Sequence, residues 1–153
     1  MKLSNNFTVA EFIKSQTALR HDLDNSMSEE HFENAKLLCE NVIQLVRDHF
    51  GPTTISSGYR GTALNKKVGG SSKSQHCEGK AADTEVAGVT NYELAKWIEE
   101  NCEFDQLILE FYTPGIPDSG WVHVSYNKDG NRKETLTASR INKKTHYSYG
   151  LQK

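Results

Sequence analysis

Ser74-Gln75-His76-Cys77-Glu78-Gly79-Lys80-Ala81-Ala82-Asp83 is the stretch whose reading decides how the rest of the chain is understood. It holds a histidine and an aspartate seven residues apart, with a glycine and two alanines between them. Imidazole nitrogen and carboxylate oxygen are ligand types that a hydrolytic zinc takes alongside thiolate. The spacing is too long for neighbouring turns of one helix, where partners sit three or four apart. It predicts a loop carrying His76, a bend at Gly79, and a strand that opens at Asp83. The alanines would let the backbone pack closely behind a metal. By themselves the two residues equally suit a surface loop with an incidental His and Asp, so the flanking chain has to decide.

On the upstream side, Thr53-Thr54-Ile55-Ser56-Ser57 is short and β-branched, which predicts a strand ending at Gly58-Tyr59-Arg60. Residues 61–82 then form a long segment with Gly69-Gly70 and several serines, with a helical turn expected around residues 64–68. Connections beyond ~12–15 residues inside a domain tend to be functional or disordered. The His76 motif favours function. On the downstream side, residues 83–87 read as a strand. Thr90-Asn91-Tyr92-Glu93 is a capping box opening a helix to about Asn101, and residues 104–111 are an apolar run of strand length ending near Glu110. Trp121 to Tyr126 alternates as a strand, with Val122 and Val124 on one face and Trp121, His123 and Ser125 on the other.

Nearer the N-terminus, Thr8 and Glu11 form another capping box with Phe7 and Phe12 placed as a staple, and the helix they start should end near Ser15. Residues 17–27 are polar and turn-rich. Ser28 caps a helix to about Phe50 with Phe32, Ala35, Cys39, Val42 and Val46 on its apolar stripe, widened by Leu38 and Leu45. His31 and His49 on this helix read as surface residues. After Asp129-Gly130, residues 134–139 and 145–149 read as two antiparallel strands around Asn142-Lys143. Helices first, then strands, predict an α+β fold: N-terminal helices packed on a mainly antiparallel sheet.

A catalytic zinc usually has three protein ligands and one open position. His76 and Asp83 supply two. His123 is the leading third, because it sits mid-strand between valines; His146 on the last hairpin and His21 in the polar N-terminal loop are rivals. Hydrolysis also needs a general base near the attacking water. Glu110 ends the strand preceding that of His123, and Asp118 lies five residues before His123. Arg60 is placed to supply a cation for an oxyanion or a substrate carboxylate. Cys77 beside His76 raises a thiol-nucleophile alternative, although adjacent residues usually point apart.

Composition narrows the remaining classes. A chain of 153 residues is expected to be one domain, residues 1–153. A net charge of −2 gives no electrostatic case for nucleic acid. No apolar run of ~18 residues argues for membrane insertion, and Met1 to Asn6 lacks the apolar core of a signal peptide, so cytoplasmic synthesis is expected. The 3 cysteines have no metal spacing and read as free thiols. Nothing points to an oligomer, and a monomer is expected.

Taken together, Ser74, His76, Gly79, Ala81 and Asp83 match the pattern S-x-H-x-x-G-x-A-x-D without a gap. With Trp121-Val122-His123 and Ser57-Gly58-Tyr59-Arg60, the chain resembles the zinc D-Ala-D-Ala carboxypeptidase family of the Hedgehog/DD-peptidase fold. Ala63-Leu64-Asn65, Val68-Gly69-Gly70 and the opening Leu3 to Thr8 with Glu11-Phe12 resemble its small phage and prophage branch. The resemblance implies His76, Asp83 and His123 as zinc ligands, Arg60 as the residue that steadies substrate or transition state, and Ser74 as a substrate contact. Many members place the catalytic acid three residues before the second His, where this chain has Gly120; Glu110 or Asp118 must then serve. The implied substrates are peptidoglycan stem or crosslink peptides, cut by a D,D-carboxypeptidase or an endolysin-type endopeptidase. Such a protein would reach the cell wall through phage lysis machinery or as a virion component. The competing expectation is a non-catalytic wall-binding or virion structural domain that keeps a zinc site.

Overall fold

Two short strands open the chain: β1 (Lys2–Ser4) and β2 (Phe7–Thr8) pair antiparallel. The sequence pattern does not signal this ribbon, because the strands span only 3 and 2 residues. The computed structural model describes residues 1–71 and 74–152. Thr8 caps α1 (Val9–Ile13) by the predicted box: its hydroxyl accepts the Glu11 amide at 3.2 Å, and the Glu11 carboxylate accepts the Thr8 amide at 3.1 Å. Phe7 and Phe12 are both buried. Ser15 then caps a further helix, α2 (Gln16–Arg20), where polarity alone suggested turns.

The long helix predicted after Ser28 is continuous but not uniform. It runs as α3 (Glu29–Leu38), a π-helical stretch at Cys39–Ile43, and α4 (Gln44–Phe50). In the π stretch the Gln44 amide donates to the Cys39 carbonyl, five residues back. This wider turn shifts the helical phase of α4 relative to α3. Leu38, Cys39, Val42, Ile43 and Val46 are buried, whereas Leu45, part of the predicted stripe, is exposed. Burial pushes the Cys39 thiol up to about 12, as expected for a core thiol.

The remaining strands form one sheet. β3 (Thr53–Ser57) is followed by α5 (Thr62–Lys67), β4 (Ala81–Val86), α6 (Asn91–Asn101), β5 (Gln106–Glu110), β6 (Trp121–Ser125), β7 (Glu134–Ile141) and β8 (Lys144–Tyr149). Their spatial order is β3-β4-β6-β5-β7-β8. All neighbours pair antiparallel except β5 and β7, which are parallel. One edge of β5 is already taken by β6. The chain leaving β6 passes the start of β5, where the Lys133 and Glu134 amides donate to the Phe104 and Asp105 carbonyls at 3.0 Å, and so enters β7 in the same direction as β5. The fold is α+β with a mixed sheet, mainly antiparallel. β4 starts at Ala81 rather than Asp83, because Ala81 and Ala82 already pair with Ser125 and Val124.

Strand alternation gives the sheet two unlike faces. Ala82, Val86, Leu107, Leu109, Val122 and Val124 turn inward and join Leu38, Val42, Leu94 and Ile98 of the helices in one hydrophobic cluster. Each fully buried Leu, Ile or Val contributes about 1.5–3 kcal/mol. Asp83, Ile108 and His123 alternate to the opposite face, in register across three adjacent strands. No helix among the described residues is long and apolar enough to cross a membrane.

Candidate metal centre

The His76 loop is built around a short 3₁₀ turn, Gln75–Glu78. The Ser74 hydroxyl accepts the His76 amide at 3.2 Å and starts it. Gly79 ends it with φ 74, and a Cβ there would overlap the His31 carbonyl oxygen. Glycine is therefore required twice over, by the left-handed backbone and by the close approach of α3. The same helix braces the loop through the Asn34 amide, which donates to the Glu78 carbonyl at 2.9 Å. The Arg60 amide donates to the His76 carbonyl at 3.1 Å, tying the loop to the end of β3.

Within this frame His76 is 3% exposed. Its Nδ1 lies 2.7 Å from the Gly58 carbonyl oxygen and donates to it. That contact fixes the tautomer and turns the lone pair of Nε2 towards Asp83, whose Oδ1 is 3.4 Å away. Asp83 and His123 are direct cross-strand partners on β4 and β6. His123 Nδ1 lies 3.2 Å from the same Oδ1. One ligand-type atom from each of His76, Asp83 and His123 lies within 4.8 Å of the others. Burial works against ionised Asp83, yet His123 and His76 beside it outweigh that cost and hold the carboxyl well below the usual carboxylate range. The donor set is two imidazoles and one carboxylate, with one imidazole oriented by a backbone carbonyl, and it fits a divalent metal of the zinc type.

The three side chains line an open cleft of about 710 Å³, shared with Arg60, Ser74, Glu110 and Trp121. Glu110 pairs with Trp121 across β5 and β6, one step along the same face from the Ile108–His123 pair. Burial and the nearby Asp83 push its carboxyl above the ordinary range, while His123 pulls it back. Asp118, the alternative base, lies elsewhere: it lines a different cleft with Glu85 and Asn91. Gly120 cannot be exchanged for an acidic residue in this backbone. Its φ is 67, and a Cβ would overlap the Glu110 carbonyl oxygen. The Arg60 guanidinium reaches the Ser74 hydroxyl at 3.5 Å, and its Nε is buried with no hydrogen-bond partner among the described residues.

The other candidates fall away from the cluster. His146 is exposed on β8, and its pairing with Ser139 puts it on the opposite face from its neighbour Tyr147, which lines the cleft. His21 is exposed at the end of α2. His49 is exposed and stacks on Trp97 at 4.7 Å, whereas His31 is half-buried, with Nδ1 3.1 Å from the Tyr59 hydroxyl. Burial pushes the Cys77 thiol above its ordinary range despite Arg60 nearby, which disfavours the thiolate a nucleophile requires.

Two groups escape the sequence pattern. Gln75, next to His76, donates from Nε2 to Asp105 Oδ2 at 2.8 Å, and Arg132 holds the same buried carboxylate through Nε and a terminal nitrogen at 3.0 Å each. These residues are distant in sequence, so no local motif joins them. Phe111, Arg140 and Tyr147 also line the cleft. Alternation along β7 puts Leu136, Ala138 and Arg140 on one face, but only the β5–β7 pairing shows that this face meets the site.

No curated protein matches the chain. The family model described as Peptidase M15 matches residues 5–125, a span that holds the candidate metal ligands with Arg60, Ser74 and Glu110, and the chain therefore belongs to the peptidase M15 family.

Proposed function

We propose that this protein is a zinc peptidase that hydrolyses peptide bonds in the stem or crosslink peptides of bacterial peptidoglycan, on a Hedgehog/DD-peptidase-like fold. The observation that carries the reading is the convergence of His76, Asp83 and His123 within 4.8 Å at an open cleft that also holds Glu110 and Arg60. Family membership supports the metallopeptidase chemistry. We take residues 1–153 to act as one unit and as a monomer. Peptidoglycan peptides are its partners, reached through phage lysis machinery or from a virion.

Each residue has an assigned task. His76 Nε2, Asp83 Oδ1 and His123 Nδ1 would hold the ion. Zinc bound there would supply a Lewis acid for the scissile carbonyl and lower the pKa of water from 15.7 towards about 7. Glu110 takes the proton from the attacking water and returns it to the leaving amine. Arg60, which lines the cleft, offers its guanidinium to the carbonyl oxygen or a substrate carboxylate. The Ser74 hydroxyl accepts from the His76 amide and from Arg60, which leaves its own proton for the substrate.

The test combines elemental analysis with a peptidoglycan digest run before and after chelation. The expected result is about one zinc per chain and muropeptide release that chelation abolishes and zinc restores. Glu110→Gln should keep the metal and lower kcat by about 10²–10⁴-fold. Zinc without release would identify a binding or structural module, and absence of zinc would overturn the metal reading.

A further inference from the structure

Arg140 stands out in the part of the cleft that residues 5–125, the span of the family match, do not build. It is exposed on β7 and forms no ion pair among the described residues. Its guanidinium carbon sits 5.7 Å from the centre of the Phe111 ring. Phe111 in turn packs on Trp121 with ring centroids 5.1 Å apart. Phe111 has φ 48, a backbone region that bulky residues rarely occupy. A strained residue of this kind persists only where its surroundings hold it, and such sites cluster at ligand clamps. Tyr147, on β8 opposite Ala138 of β7, lines the same side of the cleft.

The register fixes how far this cation lies from the metal cluster. Ile108 pairs with His123 on one side and with Leu136 on the other, so Arg140 is two strands across from His123 and four residues further along. Two strand spacings are about 10 Å, and four residues are about 13 Å. Even a fully extended arginine leaves a gap of two or more residues of an extended peptide. Arg60 lies beyond the other flank of the cluster, just past β3. The cleft is thus bracketed by two arginines, with the cluster and Glu110 between them.

We infer that Arg140, seated on Phe111, is a specificity determinant that binds a carboxylate of an acidic peptide substrate two or more residues away from the scissile bond. A guanidinium without a protein carboxylate keeps its forked donors for a ligand carboxylate. The aromatic platform limits the rotamers lost on binding. The inference rests on the peptidase reading for the identity of the ligand, since stem peptides carry free carboxylates, but its test reads binding as well as turnover.

The experiment measures calorimetric Kd values of zinc-loaded wild type and Arg140→Gln for an acidic stem-type peptide. The same values are taken for analogues in which each carboxylate in turn is a carboxamide. Turnover of every peptide is followed in parallel. Arg140→Gln should weaken the acidic peptide by about tenfold or more. One particular amidation should weaken wild type by a similar factor, and the two losses should not add. Equal losses on every peptide, no loss, or no binding of any peptide would overturn the inference. Arg140-dependent binding without turnover would overturn the peptidase reading and leave only Arg140's role as the carboxylate-binding residue.

Discussion

The His76 loop and the β7–β8 hairpin face the same cleft but are held in opposite ways. The loop is pinned from several sides: by Gly58 at the imidazole, by α3 behind Gly79 and Glu78, and by Asp105 through Gln75. In the hairpin, every residue of β8 is exposed, and among the described residues β8 has β7 as its sole neighbour in the sheet. The contrast suits the roles proposed for each region. Metal ligands tolerate little displacement, which a buried, hydrogen-bonded frame provides. A surface proposed to recognise a substrate gains from side chains that can be exchanged without disturbing that frame.

Substitutions can break or sharpen this contrast. The largest effect is expected from Asp83→Ala, which removes the atom both imidazoles face. Zinc content should drop to background in elemental analysis, and activity should fall by more than the about 100-fold that changes to outer contacts of a metal site cost. Gly79→Ala should come next. The left-handed backbone costs about 1–2 kcal/mol for an alanine, and the overlap with the His31 carbonyl adds to it. Urea melts should show at least about 2 kcal/mol of destabilisation, and metal-competition titrations should show weaker zinc binding.

Asp105→Asn should act more mildly and with a pH signature. Burial opposes ionised Asp105, but Arg132 and Gln75 outweigh it and hold its carboxyl below the usual range. A depressed folded pKa gives stability that is whole above the ordinary carboxylate value of ~3.9 and drains away as pH falls below it. Because Arg132 is 57% exposed, the loss at pH 7 should be only about 1–2 kcal/mol. The gap between variant and wild type should narrow in melts near pH 3. A constant gap would show that charge is not what Asp105 contributes. The smallest effect belongs to Tyr149→Ser on β8, where the side chain is 83% exposed. It should change stability by no more than about 0.5 kcal/mol. A larger loss would show that the hairpin is held more firmly than its exposure suggests.

The two regions also differ in how far they could be read without coordinates. The ten-residue motif carries its own geometry, because a capping serine, a glycine bend and paired small residues dictate a local path. Periodicity likewise marks the long helix, yet not the π stretch that turns Leu45 outward. That hydrogen-bond shift leaves no mark in composition. The strands after Tyr126 are legible as a hairpin, but the strand on which that hairpin docks is not. The parallel pairing with β5 depends on where the chain crosses after β6, a long-range matter that alternation cannot express. Hence Asp83 and His123 can be matched by motif, whereas Arg140 and the Asp105–Arg132 pair emerge only once strand order is known.

The carbonyl of Gly58 has a consequence for how such a site endures sequence change. A side-chain carboxylate that orients a ligating imidazole can be erased by one codon. A main-chain oxygen cannot, because every amino acid carries it. The orientation of His76 is thus inherited with the path of the backbone, and position 58 can disturb it only through bulk, where a Cβ would collide with the Phe12 carbonyl. Sequence drift around the loop is buffered as long as the chain still passes that way.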